Sequence, residues 1–173
     1  TSLQADLSVM DILMDAGASL SQLDGDTGNI TAQRAPLKAF SVDASNCPDL
    51  FPIISVLAAF CQGTSRLAGV GRLANKESDR AKAILEMLNQ MGVKASIEGD
   101  EMVIEGHTLT HRLLTGNMLK GGAYTSHHDH RMVMALKVAA LGADSPVTID
   151  DEACVSKSFP DFQQTFETVA SSD

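Results

Sequence analysis

The sequence contains little of what several classes of protein require. It has no tryptophan and one tyrosine, and its 13 lysines and arginines are outnumbered by 22 aspartates and glutamates, for a formal net charge of −9. An acidic chain with few aromatic rings is not suited to nucleic acid or to anionic membrane surfaces as main partners. Its apolar runs are shorter than the roughly 20 residues that a membrane-spanning helix needs. A small local cluster of cations remains compatible with this charge balance.

Cysteine is also scarce. Cys47, Cys61 and Cys154 are far apart and odd in number, which argues against a disulfide framework. We therefore interpret each as a buried thiol and expect a cytoplasmic protein. A helical pattern over residues 9–13 follows Thr1 almost at once, and this favours a segment of a longer polypeptide.

An internal repeat with a period of roughly 75–81 residues is the main organising feature. Residues 13–30 and 88–104 each resemble a helix end, a glycine stop (Gly17 or Gly92), a strand, a polar turn and a second strand. Residues 41–70 and 124–155 each resemble a polar loop, an apolar helix, a glycine-containing stop and a strand. We predict an α/β fold with α+β layering, repeat units over 8–75 and 78–157, and a last helix over 160–170.

Polar clusters occupy the predicted helix starts. Asn46 precedes Pro48 as a cap candidate, Asn75 precedes the next helix, and Ser158 precedes Pro160. A fourth cluster lies at the start of the helix that follows His128.

Basic residues recur at these helix starts, where they are unfavourable for folding. Helix N-termini carry unpaired N–H groups and the positive end of the helix dipole, so they favour anions. The cations that break this preference are Lys76, Arg80, Arg131 and Lys157. A broken local preference is a sign of function, and four converging helix starts would form an anion site. Asp49 and Glu77 would add carboxylates able to move protons.

Two other kinds of site are disfavoured. Contiguous ligands in the run His127–His130 are poorly placed for one metal ion, and no matching Cys/His pair occurs elsewhere. A serine hydrolase is disfavoured because the sequence has no G-x-S-x-G motif. The glycines at 69–71 and 121–122 lack a dinucleotide or P-loop pattern and are predicted to form turns.

Five motifs carry a resemblance to a known family. They are PDLFP (48–52), NKESDR (75–80), HDHRMVMA (128–135), PVTIDD (146–151) and CVSKSFPDF (154–162). In this order and spacing, over about Leu3 to Ala170, the chain resembles the C-terminal portion of the 5-enolpyruvylshikimate-3-phosphate (EPSP) synthases.

This resemblance implies a transferase of the shikimate pathway, which supplies chorismate for aromatic amino acid biosynthesis. The reaction moves the enolpyruvyl group of phosphoenolpyruvate to the 5-hydroxyl of shikimate 3-phosphate and releases phosphate, by addition and then elimination through a tetrahedral intermediate. Neither a metal nor an organic cofactor is implied. The parent enzyme is expected to be a cytoplasmic monomer.

Residue roles follow from the same motifs. Asp49 would contact the shikimate ring hydroxyls and accept a proton, and Lys76 would bind the same substrate and share in proton transfer. Glu77 would deliver or remove the proton at the methylene carbon of phosphoenolpyruvate. The residues expected to hold the carboxylate and phosphate of phosphoenolpyruvate are Arg80, Arg131 and Lys157. Asp129 and His130 would line the site, and Asp79 would be structural.

The implied fold has two similar domains, each built from three βαβαββ units. Residues 1–173 would then form one incomplete domain containing about two of its three units, and would carry half of a cleft. The substrate segments of the family's N-terminal half are absent from this sequence, so we expect the chain to be inactive alone.

Two alternatives remain at this stage. The enolpyruvyl transferase that acts on UDP-N-acetylglucosamine shares the implied fold, although its motifs differ at NKESDR and HDHR. A non-catalytic binding or assembly domain could use the fold as well, although retention of the charged motif residues argues against it.

Overall fold

The structure, a computed structural model, describes residues 3–22, 30–33, 35–73, 79–157 and 159–171. The helices in this part of the chain are α1 (Leu3–Asp15), α2 (Phe51–Ala59), α3 (Arg80–Gln90), α4 (Leu109–Thr115), α5 (His130–Ala140) and α6 (Phe162–Ser171). The strands are β1 (Ser19–Gln22), β2 (Ile30–Gln33), β3 (Ser41–Asp43), β4 (Gly63–Ala68), β5 (Lys94–Glu98), β6 (Glu101–Gly106), β7 (Gly122–Tyr124) and β8 (Val147–Ile149). Short 3₁₀ turns cover Pro48–Leu50, Val70–Leu73 and Glu152–Lys157.

The strands form small sheets that repeat one pattern. β3 and β4 are parallel and are connected through α2, and β7 and β8 are parallel and are connected through α5. The antiparallel hairpin of β5 and β6 joins the first pair, which gives the strand order β3-β4-β6-β5. β1 and β2 form a separate antiparallel hairpin. Helix crossovers between parallel strands confirm the predicted α/β class.

The core lies around α2, which has no charged residue and buries most of its surface. Phe51 and Ile54 are buried in α2, and Met132 and Leu136 are buried in α5, in one continuous cluster with β4 and β6. Burial of each such side chain stabilises the fold by about 1.5–3 kcal/mol. The close packing also explains Gly106, because a Cβ atom there would collide with the main-chain oxygen of Ala58.

The repeated helix–hairpin segments are present as predicted. α1 and α3 both end at a glycine in the left-handed region, Gly17 with φ +89° and Gly92 with φ +85°. A hairpin follows each of them, β1 with β2 and β5 with β6. Glycine is required at both positions because other residues rarely adopt this backbone conformation.

The predicted helix starts need three corrections. Cys47, not Asn46, is the N-cap residue, because the 3₁₀ turn begins at Pro48 and Cys47 is the residue directly before it. Asp79 caps α3 through its carboxylate, so the start assigned to Asn75 was too early. α6 begins at Phe162, two positions after Pro160. Asn75 and Ser158 lie outside the described residues.

α4 was not predicted. Thr108 caps it and Gly116 ends it with φ +73°.

Among the described residues, no helix has the length and apolar character needed to span a membrane.

Candidate active site

The starts of three helices converge on one arginine. Arg80, the first residue of α3, donates from Nε to Oδ2 of Asp129 over 2.8 Å and from Nη1 to Oδ1 of Asp49 over 3.0 Å. Asp49 lies in the 3₁₀ turn before α2, and Asp129 is the N-cap residue of α5. Arg80 is 31 positions from Asp49 and 49 positions from Asp129 in the sequence, and the fold brings the three residues together.

Asp129 has two structural roles at this point. Its Oδ1 accepts the backbone N–H of Arg131 over 2.9 Å, which satisfies one of the unpaired donors at the start of α5, while Oδ2 binds Arg80. The side chains of Asp129 and Arg80 are only 11% and 15% exposed. Burial alone lowers the pKa of Arg80, but the carboxylates of Asp129 and Asp49 outweigh it, so its pKa is raised. Arg80 is therefore a fixed cation in a largely dehydrated position.

Arg131 lies beside this network with binding capacity to spare. It is the second residue of α5 and is half-buried. Its Nε is buried and has no hydrogen-bond partner among the described residues. A buried donor without a partner costs free energy, and an anionic ligand would remove that cost. The α5 start thus provides a guanidinium with a spare donor for an anion.

The loop before α5 is held by Asp150, which follows β8. Its Oδ1 accepts the backbone N–H of Ser126 over 2.6 Å, and its Oδ2 accepts the hydroxyl of Thr125 over 2.8 Å. The Ser126 N–H and the Thr125 hydroxyl lower the pKa of Asp150. Ser126 is fully buried, and its carbonyl accepts the N–H of Asp129 over 3.0 Å. Asp150 thereby fixes the backbone that positions the capping carboxylate of α5.

The same loop contains two adjacent left-handed residues. His127 and His128 have φ of 53° and 58°, a region that residues other than glycine adopt uncommonly, although asparagine, aspartate and histidine adopt it more often than the rest. Nδ1 of His128 lies 2.7 Å from Oδ2 of Asp151, which itself has φ 45°. A cavity of about 470 Å³ lies between this loop and α3, with Asp79 and Lys82 among its lining residues.

The structure thus brings together Asp49, Arg80 and Asp129, with Arg131 beside them and a half-buried His130 as the first residue of α5. Lys76 and Glu77 lie outside the described residues. The backbone places Lys157 at the end of the 3₁₀ turn that begins at Glu152. Asp79 accepts the N–H of Lys82 over 3.1 Å as the α3 cap, in agreement with its predicted structural role.

Sequence reasoning missed two residues of this region, Ser126 and Asp150. Their signal was weak, because a serine before a polar loop and an aspartate after a short strand are common in turns.

Among the described residues, no group of three His, Cys, Asp or Glu side chains is arranged to hold a metal ion. The arrangement is suited to holding anions between arginines and helix N-termini and to moving protons through carboxylates.

The helices and sheets are arranged in the enolpyruvyl transferase class of fold, as comparison with solved structures shows. The enolpyruvyl transferase NikO from Streptomyces tendae aligns with 96% of this chain and 35% of its own, with a TM-score of 0.67. At 16% sequence identity this likeness concerns the fold alone.

Sequence comparison identifies the family within this class. The family model EPSP synthase (3-phosphoshikimate 1-carboxyvinyltransferase) matches residues 1–166. The chain belongs to the EPSP synthase family, as its five motifs predicted. This membership favours the EPSP synthases over the transferases that act on UDP-N-acetylglucosamine.

Individual relatives agree. A 3-phosphoshikimate 1-carboxyvinyltransferase of Clostridium acetobutylicum is 40% identical over 162 residues, which are 94% of this chain and 35% of the relative. One of Methanocorpusculum labreanum is 42% identical over 92% of this chain and 35% of its own. The EPSP synthase structure from Acinetobacter baumannii matches 94% of this chain and 38% of its own, with 28% identity and a TM-score of 0.78. The chain therefore spans about a third of the length of the curated relatives it matches, 35% for the first of these.

Proposed function

We propose that this chain supplies one side of the active site of an EPSP synthase. In this proposal the complete enzyme transfers the enolpyruvyl group of phosphoenolpyruvate to the 5-hydroxyl of shikimate 3-phosphate and releases phosphate. The observation that carries the proposal is the convergence of Asp49, Arg80 and Asp129 at three helix starts, beside Arg131 with its buried, unpartnered Nε.

Binding of phosphoenolpyruvate is assigned to the arginines. Arg80 uses two of the five N–H groups of a guanidinium on Asp49 and Asp129, which leaves donors for a ligand. Arg131 adds the donors of its own guanidinium at the start of α5. Arg80, held by its two carboxylates, and Arg131 beside it can bind a carboxylate and a phosphate through paired hydrogen bonds. Lys157 would add a third cation.

Proton transfer is assigned to the carboxylates. The side chain of Asp49 is 45% exposed. It can accept the proton of the substrate 5-hydroxyl while the hydroxyl oxygen attacks C2 of phosphoenolpyruvate. Glu77 would deliver a proton to the methylene carbon, which gives a tetrahedral intermediate. Loss of phosphate and return of a proton from the resulting methyl group to Glu77 then restore the double bond. Lys76 would hold shikimate 3-phosphate and share in proton transfer.

The chain alone provides only one wall of such a site. Charged groups that face water contribute about 0–1 kcal/mol per ion contact, so both substrates should bind weakly to it. Closure against a second wall would expel water and align the reacting atoms. We infer that the missing wall is formed by the remainder of a longer EPSP synthase polypeptide.

The test is a turnover assay with both substrates, measuring phosphate release and the mass of the enolpyruvyl product. The chain is assayed alone and with the remaining portion of the Clostridium acetobutylicum relative, expressed as a separate polypeptide. We expect no turnover by the chain alone, turnover by the mixture, and a loss of at least about a hundredfold for Arg131→Gln in the mixture. Leu114→Asp, on an 84% exposed residue outside the site, is the matched control.

Turnover by the isolated chain would contradict the half-site proposal. A folded mixed complex that binds neither substrate would instead favour a non-catalytic binding or assembly domain.

A further inference from the structure

Helix α4 is attached to the rest of the fold mainly through one charged side chain. All seven of its residues are described, and Arg112, at 2% exposed, is the buried one among them. Its leucines are far more exposed, with 42% for Leu109, 62% for Leu113 and 84% for Leu114. A helix of two turns is too short to be stable without contacts to other elements. The stability of α4 therefore depends on what Arg112 binds.

Arg112 binds the carboxyl end of α2. Its Nη2 donates to the carbonyl of Ala59, the last residue of α2, over 2.9 Å, and its Nη1 donates to the carbonyl of Asn117 over 3.1 Å. The backbone N–H of His107 donates to the same carbonyl of Ala59 over 3.2 Å. Carbonyls at a helix carboxyl end carry the negative end of the dipole, so a cation is favourable there. The guanidinium thus fastens α4 to α2.

This attachment is incomplete as a set of polar contacts. Nε of Arg112 is buried and has no hydrogen-bond partner among the described residues. Within the same part of the chain, Arg112 forms no ion pair with a carboxylate. Burial lowers the pKa of Arg112, because carbonyl dipoles replace only part of the hydration that a buried cation loses. A further positive charge nearby would weaken the attachment.

Two histidines can supply that charge. The rings of His107 and His111 are stacked, with centroids 4.5 Å apart and planes at 16° to each other. His107 directly precedes the N-cap residue of α4 and is half-buried, whereas His111 is in α4 and is exposed. Nδ1 of His107 lies 3.4 Å from Oε1 of Gln62, which carries no charge. Both rings therefore belong to the segment that Arg112 holds.

The surroundings of His107 favour its uncharged form. Burial lowers the pKa of His107 most, and the charges of His111 and Arg112 lower it further. Glu105 of β6 has the opposite effect, but its carboxylate also faces Nζ of Lys94 at 3.7 Å, and the pKa of His107 is lowered overall. Stability that depends on uncharged His107 is complete above the ordinary histidine pKa of about 6.5, and it is lost as the pH falls through the lower folded value.

We infer that α4 is an acid-released latch on the carboxyl end of α2. At neutral pH, uncharged His107 stacks on His111, and Arg112 holds α4 in place. As the pH falls through the range in which histidines titrate, positive charge gathers beside the buried guanidinium and drives the stacked rings apart. α4 then detaches while α2, α3 and α5 stay folded. This inference concerns the chain itself and does not depend on the proposed chemistry.

The experiment compares hydrogen exchange of the chain at about pH 7.5 and about pH 5.5, on either side of the ordinary histidine pKa. Exchange is expressed as protection factors, so that the intrinsic pH dependence of the exchange reaction is removed. The test variant combines His107→Gln with His111→Gln and so removes both titrating rings. The matched control is His127→Gln, which removes an exposed histidine in the loop before α5. A further variant, Arg112→Met, removes the guanidinium.

In the unaltered chain and in His127→Gln, we expect the protection of residues 112–115 to fall at least about fivefold on acidification, while protection in α2 and α5 is kept. The double histidine variant should lose this response, and Arg112→Met should leave α4 unprotected at both pH values.

Three results overturn the inference. The first is a fall of equal size in α2 and α5, which would mean global unfolding. The second is a double histidine variant that responds to acid like the unaltered chain. The third is protection of α4 that is unchanged by acid or by Arg112→Met.

Discussion

Arg80 illustrates how a residue that is unfavourable for its own helix is kept in place by other helices. A cation at the first position of α3 opposes the helix dipole. The carboxylates of Asp129 and Asp49 offset that repulsion and also orient the guanidinium through two of its nitrogens. The arrangement keeps a positive charge fixed where the dipoles of α3 and α5 also attract anions.

Substitutions of Asp129 can separate its contribution as the cap of α5 from its contribution as the charged partner of Arg80. Asp129→Ala removes both the α5 cap and the partner of Arg80, and we expect it to cost about 2–4 kcal/mol of unfolding free energy. Asp129→Asn keeps a good cap but removes the negative charge, so its cost should be smaller by about 1 kcal/mol. Urea unfolding of the two variants measures the difference. Equal costs for both would mean that capping contributes nothing measurable here.

At the scale of the element, the start of α5 depends on groups outside the helix. Asp150 binds Ser126 and Thr125, and Ser126 in turn binds the backbone of Asp129. These contacts hold a loop with two left-handed histidines, which would otherwise favour other conformations.

Because folding lowers the pKa of Asp150, its contribution to stability is present above the carboxyl pKa of the unfolded chain and is lost as the pH falls through the lower folded value. Asp150→Asn should therefore lose stability at pH 6 and show a smaller further loss below about pH 4 than the unaltered chain. Hydrogen exchange of residues 126–129 should also become faster.

Asp144 is the matched control for this prediction. Its pKa is also lowered, first by the backbone N–H of Gly121 and then by the Ser145 hydroxyl, but these contacts lie just before β7 and β8 rather than at the start of α5. Asp144→Asn should flatten the acid dependence without changing exchange of residues 126–129. Identical exchange for both variants would rule out the role of Asp150 in ordering the loop.

Local sequence rules predicted the elements better than their starts. The glycine stops at Gly17 and Gly92 were visible because few other residues adopt that conformation. The start of α3 was assigned to Asn75 instead of Asp79, since asparagine and aspartate cap helices about equally well. α4 carried a threonine cap and a glycine end, but it is too short to show an apolar periodicity.

At the scale of the whole molecule, the repeat and the motifs predicted the family and the clustering of charges, but not the pairings. Nothing in the local pattern specifies that Arg80 binds Asp49 and Asp129, because their proximity comes from the packing of three helices. An open apolar groove of about 430 Å³ between α1, α2, α4 and α5 was not predicted either, because the residues of α2 and α5 that line it resemble ordinary core positions in sequence.

The proposal that this chain supplies one side of an EPSP synthase active site can be tested by replacing the matching 162-residue portion of the Clostridium acetobutylicum relative with this chain and measuring kcat/KM for both substrates. The hybrid places the two walls in one polypeptide, so that weak association cannot limit activity. Glu77→Gln in the hybrid is the inactive control, and Leu114→Asp is the neutral one.

We expect a hybrid with kcat/KM within about tenfold of the unaltered relative, and a loss of at least about a thousandfold on Glu77→Gln. A folded hybrid that shows no turnover, or one whose turnover is unaffected by Glu77→Gln, would overturn the proposal.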